Sequence, residues 1–458
     1  MTALASGTWW DPYAGLPLVI QLGFAIALLV TVLSFVQLVV LRVEARTALR
    51  MLAQIASSPD ARGEADFLWV FIVPALNEEV TIADSVERLR AVRATEKVLI
   101  VVDDGSDDAT PDLLAAMHDP FLEVLRRDPP EARQGKAAAL NNAWHYVHDT
   151  VLTSPEHGHR DPDDVVIVIV DADGRLEPGA PERVAPHFSD PRTAGVQVQV
   201  RIYNRHRWLT WAQDVEFSVF GLVFQLGRTA WGTAHMGGNG QFNRLAALDD
   251  IVEGDGPWRN RLTEDQDLGL RLLAAGWKSR QEMRAVVEQQ GVPRLRPLLR
   301  QRTRWAQGNL QALDLLGATW RSPFPRSART GEVLYLLMPL WQAIVGAAFV
   351  CAIVLAALGI ASVIPSPEIL PEVYVLGFSN SVLGCLATRH VAGRGRLHSI
   401  LIAHLYAIYT WLLFPVLLRA LVRQMGTRRE WSRTDRVPLE PAAVTQAADV
   451  VREESRAA

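Results

Sequence analysis

The sequence has few cysteines and almost no excess of charge of either sign. Its only two cysteines, Cys351 and Cys385, both fall inside long apolar segments. This argues against a disulfide framework and a cysteine-based zinc site. The formal net charge is −4 and no basic low-complexity stretch occurs, so nucleic acid is not an expected partner.

Long uncharged runs are present instead. Residues 16–40 contain no charged side chain, enough to cross a hydrocarbon layer of about 30 Å at about 1.5 Å per helical residue. Further uncharged stretches cover 333–367, 373–388 and 399–418. They predict membrane segments on both sides of a soluble domain. Pro415 makes the last stretch a candidate re-entrant or interfacial helix, and 333–367 is equally compatible with an interfacial helix leading into a span. The number of crossings therefore stays open.

Basic residues predict the orientation. Arg42, Arg46 and Arg50 follow the first span, whereas the first fifteen residues contain no Lys or Arg, so we expect an external N-terminus and a cytoplasmic central domain. The expected organisation is an external N-terminus (1–15), a transmembrane helix (16–41), a linker (42–66), a cytoplasmic α/β domain (67–320), interfacial and transmembrane helices (321–424) and a partly disordered tail (425–458).

The central domain alternates between two patterns. From Phe67 to about Trp320, apolar runs such as FLWVFIV and KVLIVV alternate with amphipathic stretches such as TIADSVERLRAV. This predicts a mostly parallel α/β sheet, in which ligands bind beyond the carboxyl ends of the strands. Further strands are expected at Val165–Val170 and Ala194–Ile202, and helices at Ala137–Val151 and Thr263–Ala275.

Three predicted strands end in polar, acidic turns. The turns are PALNEE with Asn77 and Glu78, DDGS with Asp103 and Asp104, and DAD with Asp171 and Asp173. One such turn is explained by the turn preference of Asp and Gly, but three on one rim favour a ligand site. Residues i and i+2 of a strand point to one side, so Asp171 and Asp173 can share a Mg²⁺ or Mn²⁺ ion with substrate phosphates.

Two glycine-containing segments follow. RQGKAAAL opens a helix at Lys136 but is not a phosphate-binding Walker A loop, because Ala137 replaces the required Ser or Thr. Lys136 is either a solvated lysine or a cation facing a nucleotide. GGNG, at Gly237–Gly240, indicates either a close backbone approach to a ligand or a simple turn.

The segment LTEDQDLGLRLL predicts a helix start. Thr263 and Gln266 match a capping box, and Glu264, Asp265 and Asp267 lie at the positive end of the helix dipole. Capping alone accounts for these residues. The same position also favours an ionised Asp265, which can take a proton from an incoming hydroxyl.

RQRTRWAQGNLQ precedes the second membrane block. Gln301, Arg304 and Trp305 stand at i, i+3 and i+4, one face of a helix. The face suits either a membrane-surface helix or a site for phosphates and a sugar ring.

In this order and spacing, PALNEE, DDGS, QGK, DAD, TED and QRTRW resemble the signatures of the membrane-embedded processive members of glycosyltransferase family 2, which include cellulose, hyaluronan and poly-N-acetylglucosamine synthases. The resemblance covers Trp69 to about Gln311 and the flanking membrane helices. It implies a cytoplasmic domain of the GT-A nucleotide-sugar fold. It also implies inverting, metal-dependent transfer from a UDP-sugar to the end of a growing β-linked polysaccharide, exported through the membrane helices.

The resemblance also implies roles for individual residues. Asp265 would be the general base, and Asp171 and Asp173 would hold Mg²⁺ or Mn²⁺. The nucleotide-sugar site would comprise Pro74, Ala75, Asn77, Glu78, Asp103, Asp104, Lys136 and Ala172. The acceptor and the donor phosphates would be contacted by Glu264, Gln301, Arg304, Trp305, Gly238 and Asn239.

Two alternatives remain beside the polysaccharide synthase. One is single glycosylation of a membrane lipid, and the other is a non-catalytic membrane scaffold. The expected partners are a UDP-sugar, a polysaccharide or lipid acceptor and the lipid bilayer of the cell membrane, and accessory export proteins are compatible with them. The sugar is not predicted, because selectivity depends on the shape of the pocket.

Overall fold

The computed structural model describes residues 16–117, 120–360, 370–389 and 395–425, with backbone alone at 372, 373, 376 and 425. The expected external N-terminus (1–15) and almost all of the expected tail (425–458) lie outside the described residues. The described strands are β1 (Leu68–Ala75), β2 (Glu96–Asp103), β3 (Leu122–Arg126), β4 (Val165–Ile169), β5 (Arg175–Leu176), β6 (Thr193–Ile202), β7 (Gln241–Arg244) and β8 (Lys278–Gln289).

The helices surround this sheet and continue beyond it. They are α1 (Leu18–Ala56), α2 (Ile82–Arg90), α3 (Thr110–Ala115), α4 (Lys136–Tyr146), α5 (Ala180–Val184), α6 (Trp208–Val219), α7 (Leu226–Thr229), α8 (Leu245–Asp250), α9 (Glu264–Ala274), α10 (Leu295–Gln311), α11 (Leu316–Arg321), α12 (Arg326–Leu336), α13 (Met338–Ala357), α14 (Leu370–Ala387), α15 (Arg396–Leu412) and α16 (Phe414–Met425).

The strands form one sheet in the order β3-β2-β1-β4-β7-β6-β8-β5. The half formed by β3, β2, β1 and β4 is parallel, and β6 also runs parallel to β8. The short strand β7 lies antiparallel between β4 and β6. The predicted mostly parallel α/β sheet is confirmed.

Strand β1 shows how the core is built. Trp69, Phe71 and Val73 are fully buried on one face of the sheet, and Leu68, Val70 and Ile72 are fully buried on the other. A strand covered by helices on both faces needs a continuous apolar run, as FLWVFIV supplies. Its last residue, Ala75, pairs with Asp103 at the end of β2. The polar turns after these strands therefore share one edge of the sheet.

Three helices in the described part of the chain are long and apolar enough to cross a membrane. They are Leu18–Ala56, Met338–Ala357 and the α15–α16 segment Arg396–Gln424. Helix α1 continues through Ala56, so the first part of the expected linker extends the apolar helix. The stretch 333–367 is divided at Leu337 into α12 and α13, and a break at Leu413 precedes Pro415.

The C-terminal half of α1 packs directly on the sheet domain. A Cβ atom added to Gly227 of α7 would lie 2.5 Å from the Leu41 backbone oxygen, so only glycine permits this contact. Ala45, Ala48 and Leu52 of α1 form a buried cluster with Leu226. This packing joins the apolar helix to the domain that carries the polar rim.

Candidate active site

The DAD turn is held by backbone hydrogen bonds from distant segments. The backbone N–H of Asp171 donates to Asn239 Oδ1 at 3.1 Å, and the backbone N–H of Gln290 donates to Asp173 Oδ2 at 3.0 Å. Asn239 also donates to Gln289 Oε1 at 3.0 Å. The GGNG loop and the end of β8 thus position the two carboxylates.

Lys136, the first residue of α4, lies among carboxylates. Its Nζ donates to Asp171 Oδ1 at 2.6 Å and lies 3.4 Å from Glu264 Oε1. Burial opposes its charge, but Asp171 and Glu264 outweigh this effect and raise the pKa of Lys136. One cation therefore joins the DAD turn to the TED segment. The interpretation of Lys136 as a solvated lysine is wrong.

Asp265 lies in the first turn of α9. Burial, followed by the neighbouring Glu264 carboxylate, raises the pKa of Asp265 from 3.8 to about 7, although Lys136 opposes the shift. A pKa of about 7 leaves this carboxyl group partly protonated at neutral pH, because burial outweighs the helix dipole. A carboxyl group that titrates near neutrality is suited to accepting a proton.

The predicted capping box is wrong. Thr263 precedes α9 but makes no side-chain capping hydrogen bond. Its hydroxyl instead donates to Gln266 Oε1 at 3.3 Å, and the backbone N–H of Gln266 donates to Asp265 Oδ1 at 2.9 Å. Asp265 thus accepts a hydrogen bond from the adjacent backbone group.

Gly238 lies against this carboxylate. It has a φ of +76°, and a Cβ atom there would lie 2.9 Å from Asp265 Oδ2 and 3.6 Å from Lys136 Nζ. The GGNG loop therefore approaches a carboxylate of the site closely, and its approach to a ligand stays a prediction. Gly238 is needed for both its φ and its lack of a side chain.

The predicted nucleotide-binding residues near the ends of β1, β2 and β4 fall into two groups, those that line the cavity and those that do not. Asp104 lines the cavity and pairs with Arg127 at 2.5 Å, and burial raises its pKa. Asp103 is buried against Arg126 and does not line the cavity. Asn77 likewise lies off the cavity and donates to Asp107 at 2.6 Å. Others that do line it are Pro74, Ala75, Glu78 and Ala172.

A cavity of about 1260 Å³ joins these parts. It contains Asp171, Asp173 and Asp265 at one end, and Gln301, Arg304 and Trp305 of α10 also line it. The i, i+3, i+4 face predicted for this helix therefore borders the site. The cavity continues between the apolar helices, where it is lined by Ile26, Leu29, Gln37, Gln342, Phe349, Asn380 and Trp411.

Asp171 and Asp173 are chemically suited to a hard divalent cation. No group of three or more His, Cys, Asp or Glu side chains within the described ranges is arranged to hold a metal. Mg²⁺ and Mn²⁺ commonly use one or two carboxylates and complete their coordination with substrate phosphates and water. The ammonium group of Lys136 contacts Asp171, so this position already attracts positive charge. Two carboxylates in the cavity fit a cation that arrives with a diphosphate.

Sequence patterns missed several residues at the cavity. Glu216 and Tyr335 line it from α6 and α12, which carry no recognised motif. Arg302 also lines the cavity. It lies inside QRTRW but outside the helix face formed by residues i, i+3 and i+4, so that pattern does not mark it. The position of Arg302 between Gln301 and Arg304 was the one available signal.

Comparison with known proteins identifies related sequences. The family described as Glycosyl transferase family group 2 matches residues 166–421, more than half of the chain, and Glycosyl transferase family 2 matches residues 70–252. A beta-monoglucosyldiacylglycerol synthase of Trichormus variabilis is 32% identical over 259 residues, which are 55% of this chain and 51% of that protein. A poly-beta-1,6-N-acetyl-D-glucosamine synthase of Staphylococcus aureus is 27% identical over 275 residues, covering 58% and 59%. The chain thus spans about half the length of the curated relatives it matches.

A solved structure shares the fold. The mannosyltransferase PcManGT from Pyrobaculum calidifontis, in complex with GDP-Man and Mn²⁺, superposes with a TM-score of 0.56 at 20% identity, covering 88% of this chain and 98% of that one. This likeness confirms the predicted GT-A fold with flanking apolar helices.

Proposed function

Because the chain belongs to glycosyl transferase family group 2, we propose that it transfers a sugar from a UDP-sugar to a hydroxyl group of a membrane lipid. One observation carries the choice of acceptor. The cavity that contains Asp171 and Asp265 continues between the apolar helices. Ile26 and Leu29 of α1 and Phe349 of α13 line it, and these apolar side chains are 44%, 57% and 47% exposed.

This apolar wall supports a lipid over a polymer. Its side chains belong to helices that are long and apolar enough to cross a membrane. Sugar hydroxyls that meet hydrocarbon lose their hydrogen bonds with water, which costs several kcal/mol for each unpaired group. An acyl chain gains by the same contact. A lipid can therefore enter sideways with its head group toward Asp265.

The donor would bind at the rim formed by Asp104, Lys136 and the DAD turn. Asp171 and Asp173 would hold a divalent cation, which would supply positive charge to stabilise the UDP leaving group. Arg304 lines the same cavity and is able to donate charge-assisted hydrogen bonds to phosphate oxygens.

Asp265 would act on the acceptor side. Its ionised carboxylate takes the proton of the acceptor hydroxyl while the acceptor oxygen forms a bond to the anomeric carbon. The bond between that carbon and the diphosphate oxygen breaks, and its electron pair leaves with UDP. Attack from the face opposite UDP inverts the anomeric configuration. Burial of Asp265 and its pKa near 7 support this role.

Polysaccharide synthesis is the second candidate. The aromatic side chains Trp305, Trp341 and Trp411 line the cavity, and a chain of sugar rings stacks on such surfaces. The Staphylococcus aureus relative makes a polymer by its printed name. Processive transfer and export remain predictions, as do the cytoplasmic position of the site and residence in the cell membrane.

Product analysis separates the candidates. The full-length protein in detergent micelles is incubated with UDP-sugars, Mg²⁺ or Mn²⁺ and dioleoylglycerol, glucosyl-dioleoylglycerol or a short N-acetylglucosamine oligosaccharide. We expect a lipid that gains one sugar, detected by mass spectrometry. A long polymer would replace the lipid proposal with the second candidate. Hydrolysis of the donor without transfer to any acceptor would contradict both.

A further inference from the structure

Three helices bring a polar cluster to the wall of the cavity. Arg302 of α10 donates through Nη2 to Glu216 Oε2 of α6 at 2.6 Å. Tyr409 of α15 donates to the same oxygen at 2.7 Å, and Arg302 Nη2 also lies 3.3 Å from the Tyr409 hydroxyl. The cluster therefore joins the sheet domain, the QRTRW helix and an apolar helix.

The cluster has unused hydrogen-bonding capacity. The hydrogen bonds from Arg302 and Tyr409 both end on Oε2 of Glu216, and this side chain, which lines the cavity, is 28% exposed. Arg302 Nε is buried and also lacks a partner there. Buried ion pairs are costly to maintain, and unpaired buried donors are uncommon in folded proteins. This cluster is therefore suited to binding a polar group that enters the cavity.

An aromatic surface adjoins Arg302 of this cluster. The Arg302 guanidinium lies 4.2 Å from the ring centre of Trp305, and Phe217, the neighbour of Glu216, makes an edge contact with Trp305 at 6.3 Å. Both Trp305 and Glu216 line the cavity. A sugar ring presents C–H groups to an aromatic side chain and hydroxyls to a carboxylate, so the pair suits a hydroxylated ring.

We propose that Glu216 forms an acceptor subsite, in which Oε1 accepts a hydrogen bond from a hydroxyl that is not the attacking one. This inference rests on the proposed function and narrows it. The acceptor then carries a sugar or polyol head group, because diacylglycerol offers only the attacking hydroxyl. Arg302 and Tyr409 act as positioning residues that hold the carboxylate beside Trp305.

The test compares two lipids that differ by one sugar. Dioleoylglycerol and glucosyl-dioleoylglycerol are offered to the full-length protein, with KM and kcat measured for each and UDP affinity measured separately. Glu216→Gln and Glu216→Asp should raise the KM for the glucosylated lipid about tenfold or more, which is the effect of losing one charge-assisted hydrogen bond. The KM for dioleoylglycerol and the UDP affinity should stay unchanged. Tyr409→Phe should raise the same KM by a smaller factor.

Two controls exclude a structural effect. Asp214→Asn removes the carboxylate of another ion pair on α6, with Arg201 at 3.0 Å, but Asp214 does not line the cavity. It should change the unfolding temperature without changing acceptor preference. A double variant, Glu216→Gln with Arg302→Met, removes both charges and keeps the fold while losing the same preference.

The outcomes separate the inference from the proposed function. If Glu216→Gln leaves transfer at the wild-type level, or weakens it equally for both lipids, the subsite alone is overturned. Preference of the wild type for dioleoylglycerol over the glucosylated lipid would do the same. Bound UDP without transfer to either lipid would contradict the proposed function and the subsite together.

Discussion

Lys136 Nζ lies 2.6 Å from Asp171 Oδ1, so a single ammonium group connects the candidate metal-binding turn with the carboxylates of α9. The same ammonium lies 3.4 Å from Glu264 and lowers the pKa of Asp265, although burial of Asp265 prevails. The donor side and the acceptor side of the site are therefore coupled electrostatically.

Asp265→Asn should abolish proton transfer while leaving the shape of the site intact. We expect kcat to fall about 10²- to 10⁴-fold, the usual contribution of a general base, with UDP affinity retained. Transfer from radiolabelled UDP-sugar and UDP binding are measured on the same preparation. Near wild-type kcat in this variant would show that another group takes the proton.

The pH dependence of transfer should report the same group. A base acts only when deprotonated, so kcat/KM should rise with pH through a midpoint of about 7 and then level off. Lys136→Gln removes a charge that lowers the pKa of Asp265, so its midpoint should move to higher pH. Lys278→Gln, which removes a lysine paired with Asp190 away from the cavity, should leave the midpoint unchanged. A midpoint shifted to lower pH in Lys136→Gln would contradict the coupling.

Asp171→Asn and Asp173→Asn should weaken the metal dependence of donor binding. Each substitution removes a carboxylate from the pair proposed to hold Mg²⁺ or Mn²⁺. UDP affinity is titrated with each metal by calorimetry. The control is Glu87→Gln, whose side chain is 74% exposed on α2 and which does not line the cavity. If UDP affinity increases with metal equally in all four proteins, these aspartates are not the ligands.

Gly238→Ala should displace the Asp265 carboxylate. The new Cβ would lie 2.9 Å from Asp265 Oδ2, so we expect kcat to fall about tenfold or more as the base leaves its position. Gly254→Ala is a matched control, because Gly254 also has a positive φ, +66°, but no atom lies within 4 Å of its added Cβ. Both variants should lose about 1 kcal/mol of stability from backbone strain. Equal activity of the two variants would argue against a tight contact with the base.

Most of the sheet was predictable because β1, β2 and β4 contain apolar runs that need burial wherever they lie, and β6 alternates apolar and polar residues. Strand β8 was missed, since its first half, KSRQE, is polar. Those residues are buried because Arg280 pairs with Asp190 at 2.8 Å and Glu282 with His187 at 2.9 Å. Partners so far apart in the chain leave no local pattern. Strands β5 and β7 were missed because their short segments are stabilised by pairing with neighbouring strands.

The sequence by itself determined the alternation of strands and helices, the polar turns at one edge of the sheet and the apolar helices on both sides. These features follow from the spacing of neighbouring residues, which the amino-acid order contains directly. Only the tertiary structure decided that Lys136 meets Asp171, that Gly238 touches Asp265, and that one cavity extends from the rim to the apolar helices. The protonation of Asp265 belongs to the second group, because its pKa depends on burial and on charges contributed by distant segments.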